Sequence, residues 1–140
     1  MSKAKRQPKD LILIVAREFA SRLATAVLVT DAHGNLVYFN EPAERLLGQR
    51  FAETGEIPAE DWVTMVPREE LDGSPLPAER LPSRLALHER RPAHLEFALT
   101  VSGVRQEISA TAFPLLSSER AVVGVVSIFW EREPREGHAA

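Results

Sequence analysis

Apolar positions change their period along the chain, and each change marks an element. From Leu11 to Leu23, Ile12, Val15, Phe19 and Leu23 recur at helical spacing, with Ala16 and Ala20 beside them. Asp10 stands where an N-cap belongs. Leu11 and Ile14 widen the apolar face, so this helix carries more apolar surface than one contact covers. Ala26 to Thr30 is a short β-branched run, the pattern of a buried strand. Asp31-Ala32-His33-Gly34-Asn35 is turn chemistry, with Asp and Asn able to bond nearby backbone and Gly34 able to take positive φ. Leu36 to Phe39 reads as the returning strand. Asn40 then stands at a helix N-cap, Pro42 falls in the first turn, and Glu41 and Glu44 suit the positive helix end. Leu46 and Leu47 give that helix an apolar face, and Gly48 is a fitting stop.

The middle of the chain is less periodic. Gln49 to Pro58 reads as a loop. Ala59 to Val66 reads as a short helix with Trp62, Val63 and Val66 as its apolar points, ended by Pro67. Leu71 to Pro77 is turn-rich and extended. Pro82 opens a helix on which Leu81, Leu85 and His88 follow at helical spacing, closed by Arg90, Arg91 and Pro92. Leu95, Phe97, Leu99 and Val101 then alternate with Glu96, Ala98 and Thr100, which makes one face of a strand apolar. Ser102-Gly103 is a hairpin turn. Val104 to Leu116 is the next strand, Ser117 to Ala121 a turn, and Val122 to Trp130 the last strand. The pattern predicts an α+β layout with a single antiparallel sheet.

These residues carry a resemblance. The run VTDAHGNLVYFNEPAERLLG resembles the opening of PAS domains, a family of sensor and interaction modules. It matches at Thr30, Asp31, Gly34, Asn40, Ala43, Leu47 and Gly48. The run SGVRQEISATAFPLLSSERAVVGVVSIFWE is similar to the last two long strands of that family, with Pro114 and Gly124 in the usual places. The segment LDGSPLPAERLP is similar to a linker of one PAS branch. The resemblance implies a PAS domain over residues 24–131. A tail (1–10) and a helix (11–23) precede it, and a polar tail (132–140) follows. It also implies a PAS-like five-stranded antiparallel sheet with short helices on one face and the N-terminal helix on part of the other. A ligand cavity then lies between sheet and short helices. Leu28, Thr30 and Leu85 are expected to line it, with Ile108, Ala110 and Ala112 counted back from Pro114, and Val126 and Ile128 counted from Gly124. Most are small or apolar, which points to a small apolar ligand.

Composition narrows the chemistry. At 140 residues one domain is expected. Net charge is −3 with acids and bases interleaved, which leaves no broad nucleic-acid footprint. No apolar run approaches the roughly 20 residues of a membrane span. Leu11 to Ala16 follows Lys3, Lys5, Arg6 and Lys9, but it is too short for a signal peptide, and Arg17 and Glu18 interrupt it. A cytoplasmic chain is expected. There are no cysteines, which excludes disulfides, thiolate metal sites and a cysteine nucleophile. It also excludes the cysteine–flavin adduct of light-sensing PAS domains, and Val126 stands where that branch has glutamine. His88 falls on the helix that carries the axial histidine in haem-binding PAS domains, yet Glu89, Arg90 and Arg91 mark a solvated helix end. His33, His94 and His138 have no metal-ligand spacing. The residues therefore assign no cofactor. No G-x-S-x-G elbow or phosphate-cradling glycine loop occurs, so no enzyme is expected.

The expected function is a sensor or interaction module. No kinase, cyclase or DNA-binding segment occurs in the sequence, so signalling is expected in trans, through a signalling protein or through a homodimer built on the N-terminal helix. The rival reading is a small-ligand carrier or hydratase-like enzyme on a similar α+β fold.

Overall fold

A computed structural model describes residues 8–132, with side chains from Leu11 onward. The expected tails at residues 1–7 and 133–140 lie outside the described residues. Helix α1 spans Pro8–Ser21, so Asp10 lies inside the helix instead of capping it at Leu11. Strands β1 (Ala26–Asp31) and β2 (Leu36–Phe39) follow. The short helices α2 (Glu41–Leu47), α3 (Phe51–Thr54) and α4 (Ala59–Trp62) come next. Then come β3 (Arg68–Glu69), a 3-10 turn (Ala78–Arg80) and α5 (Pro82–Glu89). Strands β4 (Ala93–Val101), β5 (Val104–Leu116) and β6 (Val122–Glu131) close the fold.

The sheet has six strands in the order β2-β1-β6-β5-β4-β3, one more than expected. The extra strand is β3, which pairs Arg68 with Leu99 and Glu69 with Ala98. Two charged residues carry no period-two pattern, so only backbone pairing to the edge of β4 reveals it. Helix α3 occupies what reads as a loop, and α4 stops at Trp62, short of Val66.

The turns follow from their residues. Asp31 accepts from the amides of His33 (2.9 Å) and Asn35 (3.0 Å), closing the β1–β2 turn, and Gly34 sits at φ 87°. Ser102 (φ 52°) and Gly103 (φ 81°) both lie in the left-handed region, as a tight hairpin with matching twist requires. Gly48 ends α2 at φ 71°.

Strand pleating gives the sheet two apolar faces. Leu28, Phe39, Phe97, Ile108, Ala110, Ala112 and Val125 face α2 to α5, and Val27, Val29, Val37 and Val126 face α1. Helix α1 seats Leu13, Ala16 and Ala20 on the second face, with Leu23 just beyond its end, leaving Leu11, Val15 and Phe19 exposed. Gly124 permits that seating. A Cβ there would fall 2.5 Å from the Thr30 carbonyl oxygen and 2.7 Å from Leu13 Cδ2. The Arg17 guanidinium adds a stacked contact, 5.2 Å from the Tyr38 ring centroid and 5.6 Å from that of Phe51. Among the described residues no helix is long and apolar enough to cross a membrane.

Candidate functional site

A mostly apolar cavity lies between the inner sheet face and the short helices. Its floor is Leu28 of β1, Phe97 of β4, Ala110 of β5, and Ser127 and Phe129 of β6. Leu46 and Leu47 of α2, Trp62 of α4 and Leu81 at the start of α5 form the walls, with Arg68 of β3 beside them. The β1–β2 turn sets the α4 wall. Trp62 Nε1 donates to the Gly34 carbonyl at 2.8 Å, and Asn35 Oδ1 accepts from the Ala59 amide at 2.9 Å. The cavity holds about 60 Å³ of space. An engineered cavity of about 150 Å³ takes benzene, so this one admits a group of only a few heavy atoms.

Two polar groups stand out in this lining. The Ser127 hydroxyl is buried, with the residue 3% exposed, and its Oγ has no hydrogen-bond partner. Its cross-strand neighbours are Leu28 and Ala112, which offer no polar side-chain atom. Arg68 donates from Nε to the Leu76 carbonyl at 3.0 Å and from Nη1 to the Val63 carbonyl. Among the described residues it has no carboxylate at ion-pair distance. Burial, and next the nearby Arg84, hold its pKa below the ordinary arginine value, against a smaller opposing pull from Glu79.

A second, more polar depression of about 230 Å³ lies beside the first, and Trp62, Val63, Leu81 and Ser83 line both. It also takes in Thr30, His33, Arg84 and His88. His88 is exposed on its rim, away from the apolar cavity. Among the described residues no cluster of three or more His, Asp or Glu side chains could hold a metal ion.

The expected site residues divide into four groups. Leu28 and Ala110 line the apolar cavity. Ile108 is buried in the adjoining cluster with Phe97, and Ala112 packs against Ala86 and Val125 beneath α5. Thr30 faces inward but lines the second depression, with its hydroxyl 3.4 Å from the Val125 carbonyl oxygen, while half-buried Leu85 lines neither space. Val126 and Ile128 are corrected: both pack against the α1 side of the sheet. The register explains the error. Ala110 pairs with Phe129 and Ala112 with Ser127, and directly opposed residues of an antiparallel pair share a face. Inward Ala110 and Ala112 therefore put Ser127 and Phe129 inward, and Val126 and Ile128 outward. Counting along β6 against β5 would have found both. Arg68 carried no such signal, because β3 has no sequence pattern.

Asn40 joins this site to α1. Its Oδ1 accepts from the amides of Val27 (3.0 Å) and Ala43 (3.2 Å). Its Nδ2 donates to the carbonyls of Ala20 (2.9 Å) and Thr25 (2.8 Å). One buried side chain thus ties β1, α2 and the end of α1 together.

Comparison with solved structures shows that this is the PAS fold. The PAS domain of BvgS from Bordetella pertussis matches at TM-score 0.60 and 14% identity, over 88% of this chain and 87% of that one. A PAS domain from Colwellia psychrerythraea matches at TM-score 0.60 and 18% identity, over 86% and 97%. The LOV protein of Rhodobacter sphaeroides matches at TM-score 0.59 and 13% identity, over 96% of this chain and 72% of that one. No family model and no curated protein matches the chain.

Proposed function

We propose that the chain is a non-catalytic sensor. A small ligand in the apolar cavity shifts α2, and Asn40 carries that shift to α1. The signal then passes in trans through a homodimer built on α1. The observation that carries this reading is the Asn40 clamp. Helix α2 supplies Leu46 and Leu47 to the cavity wall, and Asn40 caps that same helix while holding the carbonyls of Ala20 and Thr25. Packed elements move as discrete bodies, so a displaced α2 cannot leave α1 where it was.

A second copy is the occupant that best suits the outer face. Leu11, Val15 and Phe19 are 50%, 64% and 62% exposed along one stripe of α1. Beside them runs an apolar groove of about 530 Å³ whose sheet side is Phe113, Val126 and Ile128. The groove offers a ridge and a slot side by side, as a two-fold pairing needs. The test is a titration of isotope-labelled chain with 1-butanol, followed by amide chemical shifts. Shifts at Leu28, Ala110 and Phe129, together with shifts from Ala20 to Thr25, are expected. Shifts confined to the Val15–Phe19 stripe would contradict the reading.

A further inference from the structure

The cavity floor holds a buried polar atom without a partner. Ser127 is 3% exposed, and no donor or acceptor among the described residues meets its Oγ. A hydroxyl taken out of water without a hydrogen bond is destabilising, so the partner it lacks is one the chain itself does not supply. The register shows where such a partner sits. Leu28 of β1 and Ala112 of β5 stand directly opposite Ser127, and the Ala110–Phe129 pair lies one step along the same face. Opposed side chains on one face stand about 5 Å apart and diagonal ones about 7–8 Å. The two alanines leave the face shallow there, and Leu28, Ala110 and Phe129 line the cavity together with Ser127. The hydroxyl and the apolar space are therefore within reach of one small molecule.

The other polar groups of the lining are engaged or lie elsewhere. Trp62 Nε1 donates to the Gly34 carbonyl. Arg68 Nε and Nη1 donate to the Leu76 and Val63 carbonyls, and β5 and β4 lie between its strand and β6. Ser83 is half-buried and lines the second depression as well. A guest beside Ser127 thus meets one hydroxyl, apolar side chains and no opposite charge.

We infer that the ligand of this site is a neutral short-chain oxygenated molecule, an alcohol or a ketone, whose oxygen pairs with Ser127 Oγ. Its hydrocarbon end lies over Ala110, between Leu28 and Phe129. The inference rests on the sensor reading above and names the chemical class of its signal. A carboxylate or an ammonium would lose its water there with no opposite charge to replace it. The space of about 60 Å³ limits the guest to about four heavy atoms.

The experiment titrates the isotope-labelled full chain with 1-propanol, acetone, 1-chloropropane and acetate, probes of matched size, and follows the amide shifts. Leu28, Ala110 and Phe129 are expected to shift with the three neutral probes and not with acetate. Ser127→Ala is expected to weaken 1-propanol and acetone about three- to tenfold and to leave 1-chloropropane within about twofold. Its melting temperature is expected to equal that of the parent, because the hydroxyl it removes has no partner in the fold. Ser127→Cys, similar in size but a weak donor, is expected to show the same selective loss. An equal loss for 1-chloropropane, or none for 1-propanol, overturns the inference and leaves the sensor reading standing. A lowered melting temperature in Ser127→Ala, or acetate binding the parent as tightly as 1-propanol, does the same. No shift at Leu28, Ala110 or Phe129 with any probe, as for a cavity that holds water only, overturns both.

Discussion

Asn40 shows how much one residue can do beyond its local rule. As a helix cap alone, its loss would cost about 1 kcal/mol. Here truncation also takes the acceptor from the Val27 amide and a donor from the Thr25 carbonyl, while the Ala20 carbonyl keeps the Leu23 amide at 3.1 Å, and buried groups left unpaired cost about 1–3 kcal/mol each. Asn40→Ala is therefore expected to lower stability by about 3 kcal/mol in urea denaturation. A loss near the cap value would mean water replaces the clamp. The two key glycines differ in kind. At Gly34 an added Cβ meets ordinary contacts, 3.5 Å from Ala59 Cβ, so the penalty of Gly34→Ala is the positive φ alone, about 1 kcal/mol. Gly124→Ala meets the Thr30 backbone oxygen at 2.5 Å and should cost more, which paired melting curves would reveal. At Ala110 the limit is volume. The space of about 60 Å³ suits Ala110→Leu, whereas Ala110→Phe should overpack the core and cost about 1–3 kcal/mol.

Among the elements, legibility followed pattern strength. The hairpin at Ser102-Gly103, the bounds of β5 and the start of α5 at Pro82 match the sequence, because a positive-φ turn, the turn residues on either side of a strand and a first-turn proline each leave a local mark. Strand β3 and helix α3 left none, because their pairing and packing come from distant parts of the chain. The site was half legible for the same reason. Ala110 could be placed by counting from Pro114, but the same count from Gly124 slipped β6 by one residue, and one residue turns every side chain to the opposite face. On α1 the exposed stripe makes its own prediction. Phe19→Glu should convert the particle in light scattering from dimer to monomer mass while leaving the circular dichroism of the fold unchanged. A chain already monomeric before the substitution contradicts the dimer.

At the scale of the whole molecule, a group of ion pairs lies on the sheet face away from the cavity. Glu96 accepts from Arg132 at 2.9 Å and from Ser109 at 3.1 Å, and Arg132 also donates to Glu107 at 2.8 Å. The hydrogen bond from Arg132, and then that from Ser109, hold the Glu96 carboxyl below the usual carboxylate range. A depressed folded-state pKa gives stability that is present above the unfolded value, roughly 4.3, and is lost as pH falls through the folded value. Melting temperature should therefore drop below about pH 4, and Arg132→Ala should flatten that drop. An unchanged acid slope in Arg132→Ala would remove these ion pairs from the account.

The central claim is that the cavity on one sheet face and the association of α1 on the other are coupled. Ala110→Leu probes it without any ligand, because the larger side chain stands in for an occupied cavity on the face opposite α1. Sedimentation equilibrium of the parent and Ala110→Leu chains measures the monomer–dimer constant of each. The account predicts a dimerising parent and a constant changed about fivefold or more by the substitution. The same constant in both chains, with the fold intact, would contradict it.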